Sequence, residues 1–392
     1  MTKLEKLIQE LCPEGVEYKE ISEVTNYEQP SKYIVKSTAY RDEYEIPVLT
    51  AGQSFVLGYT DESDGVYPAS KATPVIIFDD FTAAFKWVVF PFKVKSSAMK
   101  IITAKEDSLL IRFLFHWMGV LNYSSTEHTR LWIGTYSKFR IPVPPLPVQR
   151  EIVRILDNFT ELTAELTAEL TARKRQYAYY RDKLLTFAAQ GETILTDKPN
   201  ALNRLCRYVS EFIFVKLSDI SVNCDNLRKP VTSGNREAGN IPYYGASGIV
   251  DYVKDYIFDG DYLLISEDGA NLLARNTPIA FSISGKNWVN NHAHILRFNN
   301  RITQRYVEIY LNSIDLSPYI SGGAQPKLNQ QNLYKIPIPL PSYQKQKEIV
   351  TILDRFDTLC TDLSSGLPAE IEARQKQYEY YRDKLLSFEE KI

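Results

Sequence analysis

Two stretches of the chain carry an apolar stripe at helical spacing. Ile152, Ile155, Phe159, Leu162, Leu166 and Leu170 advance by three or four residues at a time, which is one face of a nearly straight helix at about 3.6 residues per turn. Ile349, Ile352, Phe356, Leu359 and Leu363 repeat the same register. This pattern predicts long helices within 149–190 and 345–392. At about 1.5 Å per residue, a helix over 149–187 would hold its flanking domains some 55–60 Å apart. Each helix has one narrow stripe, and the second leaves its domain heading back, so the two are expected to pair antiparallel. Elsewhere the apolar runs are short, β-branched and aromatic, bounded by turn residues. Ile46–Leu49, Val75–Phe78, Lys86–Phe90, Tyr262–Ile265 and Pro278–Ile283 read as strands. They predict mixed, mostly β globules over 1–148 and 191–344.

An internal repeat organises these segments. Arg173–Phe187 reads RKRQYAYYRDKLLTF and Arg374–Phe388 reads RQKQYEYYRDKLLSF, with eleven of fifteen positions identical. Upstream, EIVRILDNF (151–159) matches EIVTILDRF (348–356), and IPVPPLP (141–147) matches IPIPLPS (336–342). Fainter echoes align Ile46-Pro47 with Ile241-Pro242 and VIIFDD (75–80) with LLISED (263–268). One module is duplicated: variable domain, proline-rich exit, long helix. Prolines cannot donate a backbone hydrogen bond, so the exits end one element and stiffen the passage to the next. The first helix contains a tandem, Thr163-Ala-Glu-Leu166 and Thr167-Ala-Glu-Leu170. The second has Ser364-Ser-Gly-Leu-Pro368 there and is four residues longer between matched ends. Gly366 and Pro368 are expected to break or kink it.

Composition adds constraints. No run approaches the roughly 18 apolar residues of a membrane helix. The amino terminus is charged where a signal peptide is apolar, and Cys12, Cys206, Cys224 and Cys360 form no metal-ligand spacing. These features predict a cytoplasmic protein. The net charge is −2. Residues 1–148 hold 16 basic and 18 acidic side chains, and 191–344 hold 15 and 14. Any affinity for DNA therefore rests on local patches.

The ordered, duplicated set of IPVPPLP…QREIVRILD, IPIPLP…KEIVTILD, QYxYYRDKLL and the Thr-Ala-Glu-Leu tandem resembles the specificity subunits of type I restriction-modification systems over the whole chain. The resemblance implies an α+β fold: two mixed, mostly β target-recognition domains joined by two long antiparallel helices as a coiled coil, with an internal pseudo-two-fold repeat. It implies that each domain reads one half of a split site in double-stranded DNA. The helices would set the spacer and dock two methylation subunits, with restriction subunits in the full complex. S-adenosylmethionine, ATP and Mg would belong to those partners, leaving this chain non-catalytic. The chain has no GxxxxGK(S/T), no GxGxxG after a strand and no Asn/Asp-Pro-Pro-aromatic signature. Two other readings compete, a self-sufficient DNA-modifying enzyme and a two-lobed protein-binding adaptor. The lobes diverge while the helices stay alike, which favours two different ligands on one frame.

Base readout needs donors and acceptors at base edges and cations on phosphates. Lys93, Lys95, Lys100 and Lys105 alternate with apolar residues across an expected strand pair, as a DNA-backbone face or a solvated sheet face. Asp79-Asp80 and Glu267-Asp268 each end an apolar strand; Asp80 and Asp268 would accept from a cytosine amino group, or cap a turn. The loop Ser321–Asn329 offers Gln325, Lys327 and Asn329. Domain one has His128-Thr-Arg-Leu-Trp-Ile-Gly134 in that place, with Arg130 as candidate. His292 and His294 share a strand face, but no Cys, Asp or Glu partner completes a metal set, so no metal is expected. For the helices, Ile152, Phe159, Leu166, Leu170, Tyr177, Tyr180, Ile349, Phe356, Tyr378 and Tyr381 are expected to pack between helices or against partner subunits.

Overall fold

The computed structural model describes residues 2–50, 54–105, 107–123, 129–185, 212–322 and 325–391. The chain divides into two units, Met1–Ala168 with Ala369–Ile392, and Glu169–Pro368. Each unit is one β-rich lobe with one end of each long helix, so the helices are shared by the lobes and are not segments of their own. The expected boundary at 190/191 lies outside the described residues. No helix among the described residues is long and apolar enough to cross a membrane.

The first lobe is built on an antiparallel sheet in the order Thr25–Glu28, Met99–Ala104, Val75–Asp79, Phe85–Val88. Val75–Asp79 is buried along its whole length because both faces of the sheet are covered. Ile76, Phe78 and Ile102 pack with Phe113 of the helix Ile111–Leu121, and Val75, Ile77 and Ile101 pack with Phe92 and Val94 on the other side. The second lobe repeats this plan with Ser221–Asn223, Ala293–Phe298, Tyr262–Ser266 and Ala280–Ile283. There Leu263 and Ile265 face Tyr306 and Val307, while Leu264 and Ile295 face Phe258 and Val289. The proline-rich exits are strands. Arg140–Pro142 pairs with Tyr18–Glu20, and Ile338–Pro341 with Phe212–Val215. A two-stranded ribbon has open edges, which is where a strand tolerates proline.

Leu146–Leu185 is one helix of 40 residues. Its counterpart is broken into Tyr343–Thr361 and Leu367–Leu385. A Cβ on Gly366 would stand 2.7 Å from the Asp362 carbonyl oxygen and 2.8 Å from that of Thr358, so the turn requires glycine. Pro368 then sits in the first turn of the new helix, where its missing N–H costs nothing. Leu363 falls in this turn, 76% exposed, and not in the apolar stripe expected for it.

The stripe itself serves two surfaces. Ile152 and Ile349 are buried in the core of their own lobe, beside Leu156 and Leu353. The helices meet further on. Phe159 stacks on Tyr381 at 5.3 Å, and Tyr180 stacks on Phe356 at 5.6 Å, each pair within its own unit. As one helix advances from Phe159 to Tyr180 its facing ring goes from Tyr381 back to Phe356, an antiparallel pairing. Phe159 and Tyr180 are 21 positions apart but Phe356 and Tyr381 are 25, and the broken turn at 362–366 absorbs the difference. Leu166 and Leu170 are half-buried.

Candidate nucleic-acid interface

The central strand of each lobe runs directly into an acidic residue held under a surface loop. In the first lobe the Asp80 N–H donates to the Ala98 carbonyl (3.0 Å), and its own carbonyl accepts from Leu131 N–H (2.8 Å). The Asp80 carboxylate accepts from Trp132 N–H at 2.8 Å and faces the Lys100 ammonium at 3.2 Å. Lys100 in turn donates to the Gln29 side chain. In the second lobe Glu267 N–H donates to the His292 carbonyl (2.9 Å), and the Glu267 carbonyl accepts from Leu328 N–H (2.8 Å). Strand register fixes the equivalence, since Phe78 lies opposite Lys100 and Ile265 opposite His294. Asp80 therefore matches Glu267, Lys100 matches His294, and Arg130 matches Lys327. The alignment read from VIIFDD and LLISED is one residue out of step, because Asp79 corresponds to Ser266.

The second lobe fills the same place with a different set of charges. The Glu267 carboxylate meets Arg228 at 2.6 Å and Lys327 at 3.3 Å. His294 Nδ1 lies 2.6 Å from Asp225, and Nε2 lies 2.7 Å from the Leu328 carbonyl. Both ring nitrogens face hydrogen-bond partners, so the ring is fixed in place from two sides. Burial works against ionisation of Asp225 and Glu267, but hydrogen bonds and charge from His294, Arg228 and Lys327 hold both below the usual carboxylate range.

These contacts correct several expectations. Lys93 and Lys100 are only 2% and 1% exposed and face no DNA. Lys93 pairs with Glu62 at 3.0 Å and donates to the Asp64 carbonyl, since a cation shut inside a sheet must find a carboxylate. Asp80 is likewise buried and reads no base, while Asp79 caps its turn by accepting from the N–H groups of Phe81 and Thr82. Asp268 is half-buried and held by His292 at 2.9 Å, and Asn329 caps a short helix by accepting from Asn332 N–H. The expectation that His294 has no acidic companions also fails. Asp225, Glu267 and His294 bring their ligand atoms within 4.8 Å of one another. Arg228 and Lys327 already balance these carboxylates, so the group is an ion network.

Exposed cations remain at Lys95, Lys105, Arg130 and Lys327, with Gln325 exposed beside the last. In the first lobe Lys105, Lys138, Tyr27, Trp132 and Ile133 line an open cleft of about 480 Å³.

The lobe–helix joints are duplicated as closely. The Gln149 side chain donates to the Pro144 carbonyl and that of Gln346 to the Pro341 carbonyl, at 2.7 and 2.8 Å. Arg112 Nε donates to Asp157 and Arg305 Nε to Asp354, at 2.7 and 2.8 Å. The glutamines and aspartates stand inside the repeated token as QREIVRILD and QKEIVTILD, where their polar positions were available to be noticed. In the Tyr-x-Tyr-Tyr pair, Tyr177 and Tyr378 pack on their lobes, and Tyr180 and Tyr381 stack as above. Tyr179 and Tyr380 stand 60% and 61% exposed.

The family model described as the type I restriction modification DNA specificity domain matches residues 13–173 and 210–373. The chain belongs to this family. It is 40% identical to the type I restriction enzyme EcoR124I/EcoR124II specificity subunit of Escherichia coli, over 99% of this chain and 97% of that one. Among solved structures, the type I restriction-modification system S subunit from M. genitalium shares its fold, with a TM-score of 0.61 at 16% identity over 95% of this chain and 96% of that one. Like other specificity subunits it is non-catalytic, with catalysis in partner subunits. In this specificity subunit the two matched stretches each take in one lobe and the helix that leaves it.

Proposed function

We propose that each lobe reads one half of a split site in double-stranded DNA through the loop carrying Arg130 or Lys327. Gln325 and the exposed Lys95 and Lys105 act beside them. The helix pair sets the spacer and docks two methylation subunits, and restriction subunits join the full complex in the cytoplasm. S-adenosylmethionine, ATP and Mg are held by those partners. The observation that carries this reading is the pairing of sameness and difference. Both lobes present a cation at one equivalent place on one equivalent loop, while the side chains around it differ, as two half-sites of different sequence require. The duplicated joints and exposed Tyr179 and Tyr380 suit a partner that is the same at both ends.

The purified chain, given S-adenosylmethionine and duplex DNA, should transfer no methyl group. Mixed with its methylation subunit, it should confer methylation at one split motif. Methyl transfer by the chain alone would refute this reading.

A further inference from the structure

Each lobe buries a basic side chain between hydrogen-bond partners immediately beneath the loop that displays its exposed cation. We propose that these buried groups are positioning devices: Lys100 between Asp80 and Gln29, and His294 between Asp225 and the Leu328 carbonyl, latch the loops that aim Arg130 and Lys327 at DNA. The proposal rests on the reading of those two loops as DNA contacts. Three observations carry it. The latch grips the loop itself, through Trp132 N–H on Asp80 in one lobe and the Leu328 carbonyl on His294 in the other. Each exposed cation is followed by a buried leucine, Leu131 or Leu328, whose N–H is tied to the end of the central strand. The place is kept while its chemistry changes, from Gln29–Lys100–Asp80 to Asp225–His294–Glu267 with Arg228. An apolar plug of similar volume would serve stability at least as well as a buried ion pair, so its retention at this one place in both lobes points to orientation of the loop. In the second lobe the network reaches the surface, where Lys327 rests 3.3 Å from Glu267 with half of its side chain exposed.

The test uses the complex with its methylation subunit, and three duplexes: one bearing the motif mapped by methylation sequencing, and two with either half scrambled. Arg130→Ala and Lys327→Ala should each lower the slope of log K against log salt by about one, as loss of a phosphate contact does. If both slopes stay unchanged, the loops are not DNA contacts and the underlying reading fails. Lys100→Met and His294→Phe should each lose at least tenfold discrimination at one half-site and keep it at the other. His294→Lys, which transplants the first lobe's cation, should restore most of the second lobe's loss, and Lys100→Arg most of the first's. Lowered melting temperature with discrimination intact at both half-sites, or no recovery in folded His294→Lys, would overturn the latch while leaving the DNA contacts standing.

Discussion

A lysine buried beside a carboxylate is costly to place and more costly to orphan. Truncating Lys100 leaves Asp80 charged in the core, so Lys100→Ala should destabilise the first lobe by about 3–5 kcal/mol. Lys95→Ala, at an exposed position, should stay within about 0.5 kcal/mol; thermal and denaturant melts of the two variants check this difference. A second residue-scale effect lies at the joint of the first lobe. His116 Nε2 donates to Asp157 at 2.8 Å and Nδ1 accepts from the Tyr378 hydroxyl at 3.0 Å, which the neutral ring satisfies. Burial pushes the His116 pKa down. Burial opposes ionisation of Asp157, yet His116 and Arg112 hold its carboxyl below the usual range. Both groups have folded values below their unfolded ones, so the unfolded chain takes up protons first as pH falls. The His116 contribution is complete above about pH 6.5 and is lost as pH drops through its folded value. That of Asp157 is lost only in stronger acid. Melting of the first unit should therefore weaken between pH 7 and pH 5, and His116→Gln should flatten the loss. In the second unit the place four residues after Arg305 is Ile309, with no such titration. Equal pH dependence in the wild type and the glutamine variant would contradict this assignment. Residues of this kind were barely legible beforehand. Lys93, Lys95 and Lys100 look alike in a string of alternating residues, and only strand register decides which is shut in. Asp225, 69 positions from His294, becomes its neighbour only through the fold.

At the scale of elements, legibility was much better, because helices and exits are local and were written twice. The two proline-rich exits, the long helices and the break at Gly366 follow from short-range patterning. What short-range patterning missed is the division of the stripe, since Ile152 and Ile349 pack into lobe cores assembled from residues more than a hundred positions apart. The break makes a concrete prediction: Gly366→Ala should distort the turn, because its Cβ meets three backbone oxygens at 2.7–3.0 Å. Replacing Asp362–Gly366 by a continuous helical segment should unsettle the Phe159–Tyr381 and Tyr180–Phe356 stacks, read as loss of helicity and lower melting temperature. The tandem makes another. Thr163 and Thr167 donate their hydroxyls to the carbonyls four residues back, and the helix runs through them unbroken. Deleting Thr163–Leu166 or adding a copy changes the helix by about 6 Å and a net turn of about 40°. One base pair of B-DNA rises about 3.4 Å and twists about 35°. Rotation matches one base pair, and the broken turn in the facing helix gives the register somewhere to slip. Methylation mapping of the two variants should find the unread spacer shortened or lengthened by one base pair with both half-motifs unchanged. An unchanged spacer in active variants would mean this helix is no ruler.

For the molecule as a whole, the central claim is that two independent readers hang on one duplicated frame. The joints at Gln149 and Gln346, and at Asp157 and Asp354, are near copies, so a foreign lobe bearing the same joint residues should seat on the same helices. The loops with Arg130 and Lys327 belong to separate units, so a change in one should leave the other's half-site as it was. The most direct measurement is the methylation motif in cells carrying the methylation subunit and a chimaera in which residues 1–148 come from a relative with a different target. The account predicts a motif with one half replaced, the other half retained and the spacer unchanged. A chimaera that assembles and methylates but alters both halves, or neither, would contradict it.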